Sequence, residues 1–238
     1  MVDIHVGRDE DKKLFRVHKK NICAQSPYFK NLLKNGKRVA RLPGESPEFF
    51  DILLEWVYTG KLRSIEHITS SADSSSSLYQ VADKLGLPAA MNSIMDLILC
   101  VDLDRDYRYT VEEVEEIYHN TGGESQLRAY VTELVGYALR GDTDEDEQRY
   151  SNDDISSMME IVGFKSAFIE VSRRITVEDP RESGCRFHVH GDDDVCEARE
   201  DNEDDKDDEE EEETIHECVQ IDDEEDEDES EDEKIKEE

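Results

Sequence analysis

Cys185, His188, His190 and Cys196 gather four zinc-type ligands in a short window near the C-terminus. Two thiolates and two imidazoles suit a tetrahedral zinc ion. Their spacing, however, matches none of the usual finger patterns, and no apolar pattern surrounds them for a metal to fold. The plainer reading is a polar segment that contains two Cys and two His, so no metal and no cofactor is assigned. His18 and Cys23 form the other pair that could do chemistry, as the base and thiolate of a nucleophilic site. A reactive cysteine needs exposure and an electropositive setting, whereas Cys23 follows Ile22 in an apolar helical pattern. No glycine loop fit to cradle phosphate and no Gly-x-Ser-x-Gly elbow occurs. The expectation is a protein that is not an enzyme.

The last forty residues carry short motifs of another kind. Cys218, Val219, Gln220 and Ile221 precede Asp222, Asp223, Glu224 and Glu225. This resembles a SUMO-interacting motif, in which a short apolar strand adds to a sheet edge and an acidic flank steers it. Ile235, Lys236 and Glu238 match the apolar-Lys-x-acidic pattern of a SUMO acceptor. Ser230 is followed by three acidic residues, as an acidophilic kinase prefers. Against these readings stands a solvated polyanion that keeps the chain soluble and engages basic partners loosely.

Charge separates this tail from the rest. The chain has 238 residues and a formal net charge of −35. From Glu178 onward there are 33 acidic and 6 basic residues, so the remainder is only mildly acidic. Residues 178–238 cannot bury enough apolar surface to offset their ordering entropy and are expected to be disordered. The overall acidity argues against nucleic-acid phosphate and anionic membranes as direct ligands, with no clustered Lys/Arg face expected. No apolar run has the length of a membrane span. Five cysteines, an odd number at irregular spacing, suit reduced thiols in the cytoplasm or nucleus.

The elements ahead of the tail read as α+β. Val2, Ile4 and Val6 alternate as a strand, as do residues 14–17, and residues 39–42 form another short strand. Ser26-Pro27 and Ser46-Pro47 each offer an N-cap followed by proline at the first helical position. The second opens a helix rich in apolar residues, including Phe50, Leu53, Trp56 and Val57, which Gly60 ends. Residues 70–77 read as a Ser/Asp-rich loop or a small disordered insertion between two packed parts. Helical faces follow at Leu78, Val81, Ala82 and Leu85, then at Met91, Ile94, Met95, Ile98 and Val101. Thr110 and Glu113 form a capping-box pair ahead of Val114 and Ile117. Further faces lie at Leu127, Val131, Leu134 and Val135, at Ile155, Met158, Met159 and Val162, and at Phe164, Phe168, Val171 and Ile175. Residues 141–148 read as a charged loop.

Several of these residues stand in a known order. Phe15, Val17, His18 and Lys19 match Phe-x-Val-His-Lys; Cys23, Ser26, Pro27, Tyr28 and Phe29 match Cys-x-x-Ser-Pro-Tyr-Phe; Tyr58, Thr59 and Gly60 match a Tyr-Thr-Gly turn. The opening strand and residues 78–99 fit as well. Over roughly its first hundred residues the chain resembles the BTB/POZ family. Ile117-Tyr118-His119-Asn120-Thr121, followed by Gln126-Leu127-Arg128, is similar to the helical extension of fungal-type BTB proteins.

The resemblance implies a BTB/POZ domain at 1–101, an α-helical extension at 102–177 and the acidic tail at 178–238. It implies binding to other proteins, first of all another BTB domain. Asp3 and Lys19 match positions that form a charged pocket at a dimer interface in the family, and His18 belongs to a structural strand-to-helix corner. The helix and exchanged strand that precede the first strand in intertwined family dimers are not found ahead of Val2, so the homodimer interface would be incomplete. The alternative is a substrate adaptor for a cullin-based ubiquitin ligase. Cullin-binding members carry an apolar-x-acidic triplet whose positions fall here on Ser74 and Ser76, which disfavours cullin. No kelch, MATH or zinc-finger segment is recognisable. A third reading is a nuclear regulator or histone-binding factor acting through the tail.

Overall fold

Alternating burial along three short segments creates a sheet with one covered face. The computed structural model describes residues 1–62, 72–140, 150–174 and 178–190. Strand β1 (Val2–Val6) turns Val2, Ile4 and Val6 inward, and β2 (Lys13–Val17) turns Phe15 and Val17 inward. They pair antiparallel, with Ile4 opposite Phe15. Strand β3 (Val39–Leu42) runs parallel on the other side of β1, burying Ala40 and Leu42, in the order β2-β1-β3. Gly7 ends β1 at φ +84, where a Cβ would meet the Asp11 carbonyl oxygen and Pro47 Cγ at 2.9 Å, so only glycine fits.

The covered face packs on helices. Helices α1 (Lys19–Gln25) and α2 (Pro27–Leu32) follow β2, and α3 (Pro47–Thr59) follows β3. Ser26 is buried and has two roles. Its Oγ accepts from the Phe29 N–H at 3.1 Å to cap α2, and it donates to the Leu85 carbonyl at 2.5 Å. Ser46 caps α3 through the N–H groups of Glu48 and Phe49, and Gly60 closes it in the left-handed region. Phe50, Ile52, Leu53, Trp56 and Val57 of α3 are buried, as its apolar sequence requires.

Next come α4 (Ala72–Lys84) and α5 (Pro88–Asp104), an antiparallel pair. Here the loop expected at 70–77 is corrected: from Ala72 the backbone is helical, and Ser75 and Ser76 are buried. Serine has only modest helix propensity, but burial of Leu78, Tyr79 and Ala82 on the same helix outweighs it. Then follow α6 (Val111–Asn120), α7 (Gln126–Ala138), α8 (Asn152–Glu160) and α9 (Phe164–Ser172). The Thr110–Glu113 capping box forms, and Ser151 with Asp154 makes a second one. Gly136 lets α7 and α9 touch, since a Cβ there would lie 2.8 Å from Val171 Cγ1. Val162 falls past the end of α8 and is 90% exposed, so only Met158 of that expected face is fully buried. Residues 141–149 and Ile175 lie outside the described residues.

A second correction concerns the tail boundary. Residues 178–190 pack on α5 and α7 through two short 3₁₀ turns, Pro180–Glu182 and Gly184–Phe187. Phe187 is buried against Tyr130, with ring centroids 5.3 Å apart. Arg181 bonds Asp179 and Asp106, the latter at 2.6 Å. Arg186 and Arg174 both pair with the buried Glu133. Asn92 uses its amide like a strand neighbour, donating to the Val189 carbonyl at 3.1 Å and accepting the Val189 N–H at 2.7 Å. Few apolar residues are involved, so hydropathy alone does not reveal this segment.

Asp102 lies at the centre of these contacts, 1% exposed near the end of α5. Tyr130 donates to its Oδ2 at 2.7 Å. Burial pushes its carboxyl up to about 7, although Tyr130, Tyr109 and the Arg181 charge act to lower it. A carboxyl raised in the folded state favours folding most below the unfolded value near 4, and that contribution is lost as pH rises through the folded value. Asp102→Asn should therefore remove a loss of about 4 kcal/mol between pH ~4 and pH ~7.5. Chemical unfolding of both proteins across that range measures it; equal pH dependence in the two would contradict the buried carboxyl.

Candidate interaction surfaces

Among the residues singled out by sequence, His18 is held by a distant partner. It sits where β2 turns into α1, in the N-cap position, without a side-chain cap of its own. Its backbone N–H donates to Tyr58 Oη at 2.9 Å, and its Nδ1 lies 2.9 Å from the same oxygen. The rings meet edge to face at 5.9 Å. Tyr58 is the next-to-last residue of α3. Thr59 finishes that turn, donating its hydroxyl to the carbonyls of Glu55 and Lys61. Thus Phe-x-Val-His-Lys and Tyr-Thr-Gly, forty residues apart, are two halves of one corner. The helical pattern around Ile22 and Cys23 is visible in the sequence, but the partner that holds His18 at its start is this distant tyrosine.

Asp3 and Lys19 are not brought together as bonded partners. Asp3 Oδ1 accepts from Arg16 Nε at 3.1 Å on the outer face of the sheet. Lys19 Nζ donates to the Leu33 carbonyl at 2.5 Å, satisfying the end of α2. Both pairs contribute little on their own where exposed. Cys23 is partly buried against the core. Cys185 and His188 belong to the packed 178–190 segment, where His188 is buried and its Nε2 lies 2.6 Å from Asp96 Oδ1. Among the described residues no His/Cys/Asp/Glu cluster could hold a metal, and Cys196 lies outside them. Val219, Ile221, Ser230 and Lys236 lie outside the described residues as well.

The motif read as a helical extension also closes on itself. Arg128 donates to the Thr121 hydroxyl at 2.9 Å and to the carbonyls of Tyr118 and Thr121, capping the end of α6, and it lies 4.8 Å over the Tyr118 ring.

Net charge conceals an opposite local balance. Residues 8–41 hold eleven Lys/Arg against three Asp/Glu, so the expectation of no basic clustering does not hold for this region. The outer sheet face there exposes Leu14 at 50% and Val39 at 47%, beside Asp3, His5, Arg16 and Arg41.

A family profile for the BTB/POZ domain matches residues 1–99. Residues 1–99 are a BTB/POZ domain. It is a protein–protein interaction module with a three-stranded sheet and mostly helical content. Kelch-like protein 21 from rat, mouse and human is 26% identical over 142 residues, covering 55% of this chain and 21% of each relative. The chain thus matches about a fifth of the length of these curated relatives. No described helix is long and apolar enough to cross a membrane.

Within the BTB/POZ domain, Tyr58→Phe should remove both bonds to His18 while keeping the ring contact. A loss of about 1 kcal/mol is expected from denaturant unfolding, because these bonds are partly open to water. His18→Ala in the Tyr58→Phe background should then cost less than in the wild type. Additive losses would show that the two residues act separately.

Proposed function

We propose that the protein is a non-catalytic interaction protein whose BTB/POZ domain associates with other proteins, including another BTB copy. The observation that carries this reading is the outer face of the β2-β1-β3 sheet, exposed among the described residues, where Leu14 and Val39 flank the Asp3–Arg16 pair. Apolar side chains beside charged ones are what partner recognition uses, the first for affinity and the second for orientation. The helical side supports this assignment, because residues 178–190 already cover part of α5 and α7.

The second reading, a cullin adaptor, is favoured by the similarity to Kelch-like protein 21. It is opposed by the positions that would supply the apolar-x-acidic triplet. Ser76 is buried in α4 and is not available as a surface anchor. An acidic residue at Ser76 would bury a charge, so the acidic position of the triplet does not fit this helix. The nuclear, histone-binding reading rests on the tail and gains nothing from the described residues.

Sedimentation of the full chain should show reversible self-association in the micromolar range, weakened several-fold by Asp3→Asn. A monomer at all concentrations would leave hetero-partners alone. The same runs with the N-terminal region of a cullin added should show no co-migrating species. A tight complex would put the adaptor reading first.

A further inference from the structure

Strand β3 ends the sheet, and no described strand pairs with its outer side. The carbonyls of Arg38 and Leu42 accept from Asp3 and Gly7 on β1, so alternation turns the N–H and C=O of Val39 and Arg41 outward. At the end of β1 and β3, on the outer face, lies a recess of about 220 Å³ lined by His5, Arg8, Asp9, Lys12, Arg41 and Pro43 around Gly7. The side chains of Arg8, Lys12 and Arg41 have no ion-pair or hydrogen-bond partner among the described residues, in a chain with 63 acidic residues. An unpaired backbone edge next to unpaired cations is a place for an extended chain carrying negative charge.

We propose that β3 and this recess bind an acidic, extended segment of a partner protein. The segment would add as a strand along Val39–Leu42, with its carboxylates over Arg8, Lys12 and Arg41. A second copy of the same edge is disfavoured, since it would bring Lys37, Arg38 and Arg41 against their own like charges. Nucleic acid fits less well. The strand is four residues long, and Asp9, Glu10 and Asp11 form the 3₁₀ turn that borders the recess, interrupting any longer phosphodiester track. The proposal rests on the interaction reading above, yet it does not require self-association. A monomeric protein that binds the acidic strand would separate the two.

Fluorescence anisotropy on the full chain tests this with a labelled peptide alternating Val and Glu, its Val/Gln counterpart, and a version with alternate prolines. Saturable binding of the Glu peptide is expected, at least about tenfold tighter than either control and weakening with salt. Arg8→Glu with Arg41→Glu should weaken it about tenfold or more, while Lys165→Glu with Arg173→Glu at α9, an equal change of net charge at two exposed positions, should leave it unaltered. The two arginines are exposed, so circular dichroism should show an unchanged fold. Equal binding of Glu and Gln peptides, or an unaffected arginine double variant, would overturn the proposal. So would full competition by millimolar inorganic phosphate, or preference for a single-stranded oligonucleotide.

Discussion

A carboxylate cannot be buried alone, and Asp102 is the place where this chain meets that constraint. Its hydroxyl donor, Tyr130, comes from α7, Tyr109 comes from the connection after α5, and Arg181 comes from the segment beyond α9. The α-helical extension is therefore tied to the last helix pair of the BTB/POZ part rather than strung behind it. Helix α5 itself runs on to Asp104 without a break at residue 99. Residues 178–190 complete the arrangement, with Phe187 on Tyr130 and Val189 on Asn92. With much of α5 engaged in this way, the outer face of the sheet is an exposed surface of the BTB/POZ part among the described residues. This is the physical basis for placing its interactions there.

How much of this could be read in advance depends on how local each cause is. Ser26-Pro27, Ser46-Pro47 and Thr110–Glu113 act within one turn, and the caps appear where the residues predict. Strand β1 follows from strict alternation, and β2 and β3 from short apolar runs whose Leu14 and Val39 nonetheless face outward. The start of α1 is different, because His18 is held there by Tyr58, forty residues away. The helical backbone of 72–77 runs against the preference of a serine run and depends on burial at Leu78 and Tyr79. The packing of 178–190 depends on arginines, an asparagine amide and one phenylalanine within an otherwise acidic stretch. Composition averages such contacts away.

Charge shows the same limit at a larger scale. A total of −35 suggests a protein that repels every polyanion, yet eleven of its 28 Lys/Arg lie between Arg8 and Arg41. Some are consumed structurally: Arg16 by Asp3, Lys19 by the end of α2, and Lys13 by Asp51 at 3.7 Å. Those at the β3 end of the sheet are not. Of the interaction residues marked in the sequence, His18 and Lys19 have structural bonds that explain their types, whereas Arg8, Lys12 and Arg41 carried no motif to draw attention to them.

Hydrogen exchange on the full-length chain addresses the central claim most directly, namely that the helical side is closed by residues 178–190 as part of one cooperative unit. The amides of Arg181 and Val189, which donate to Asp179 and Asn92, should exchange as slowly as those of α5 and α7 and open together with them. Exchange of these two amides at unprotected rates while α5 stays protected would contradict the account and return that helical face to the list of open interaction surfaces.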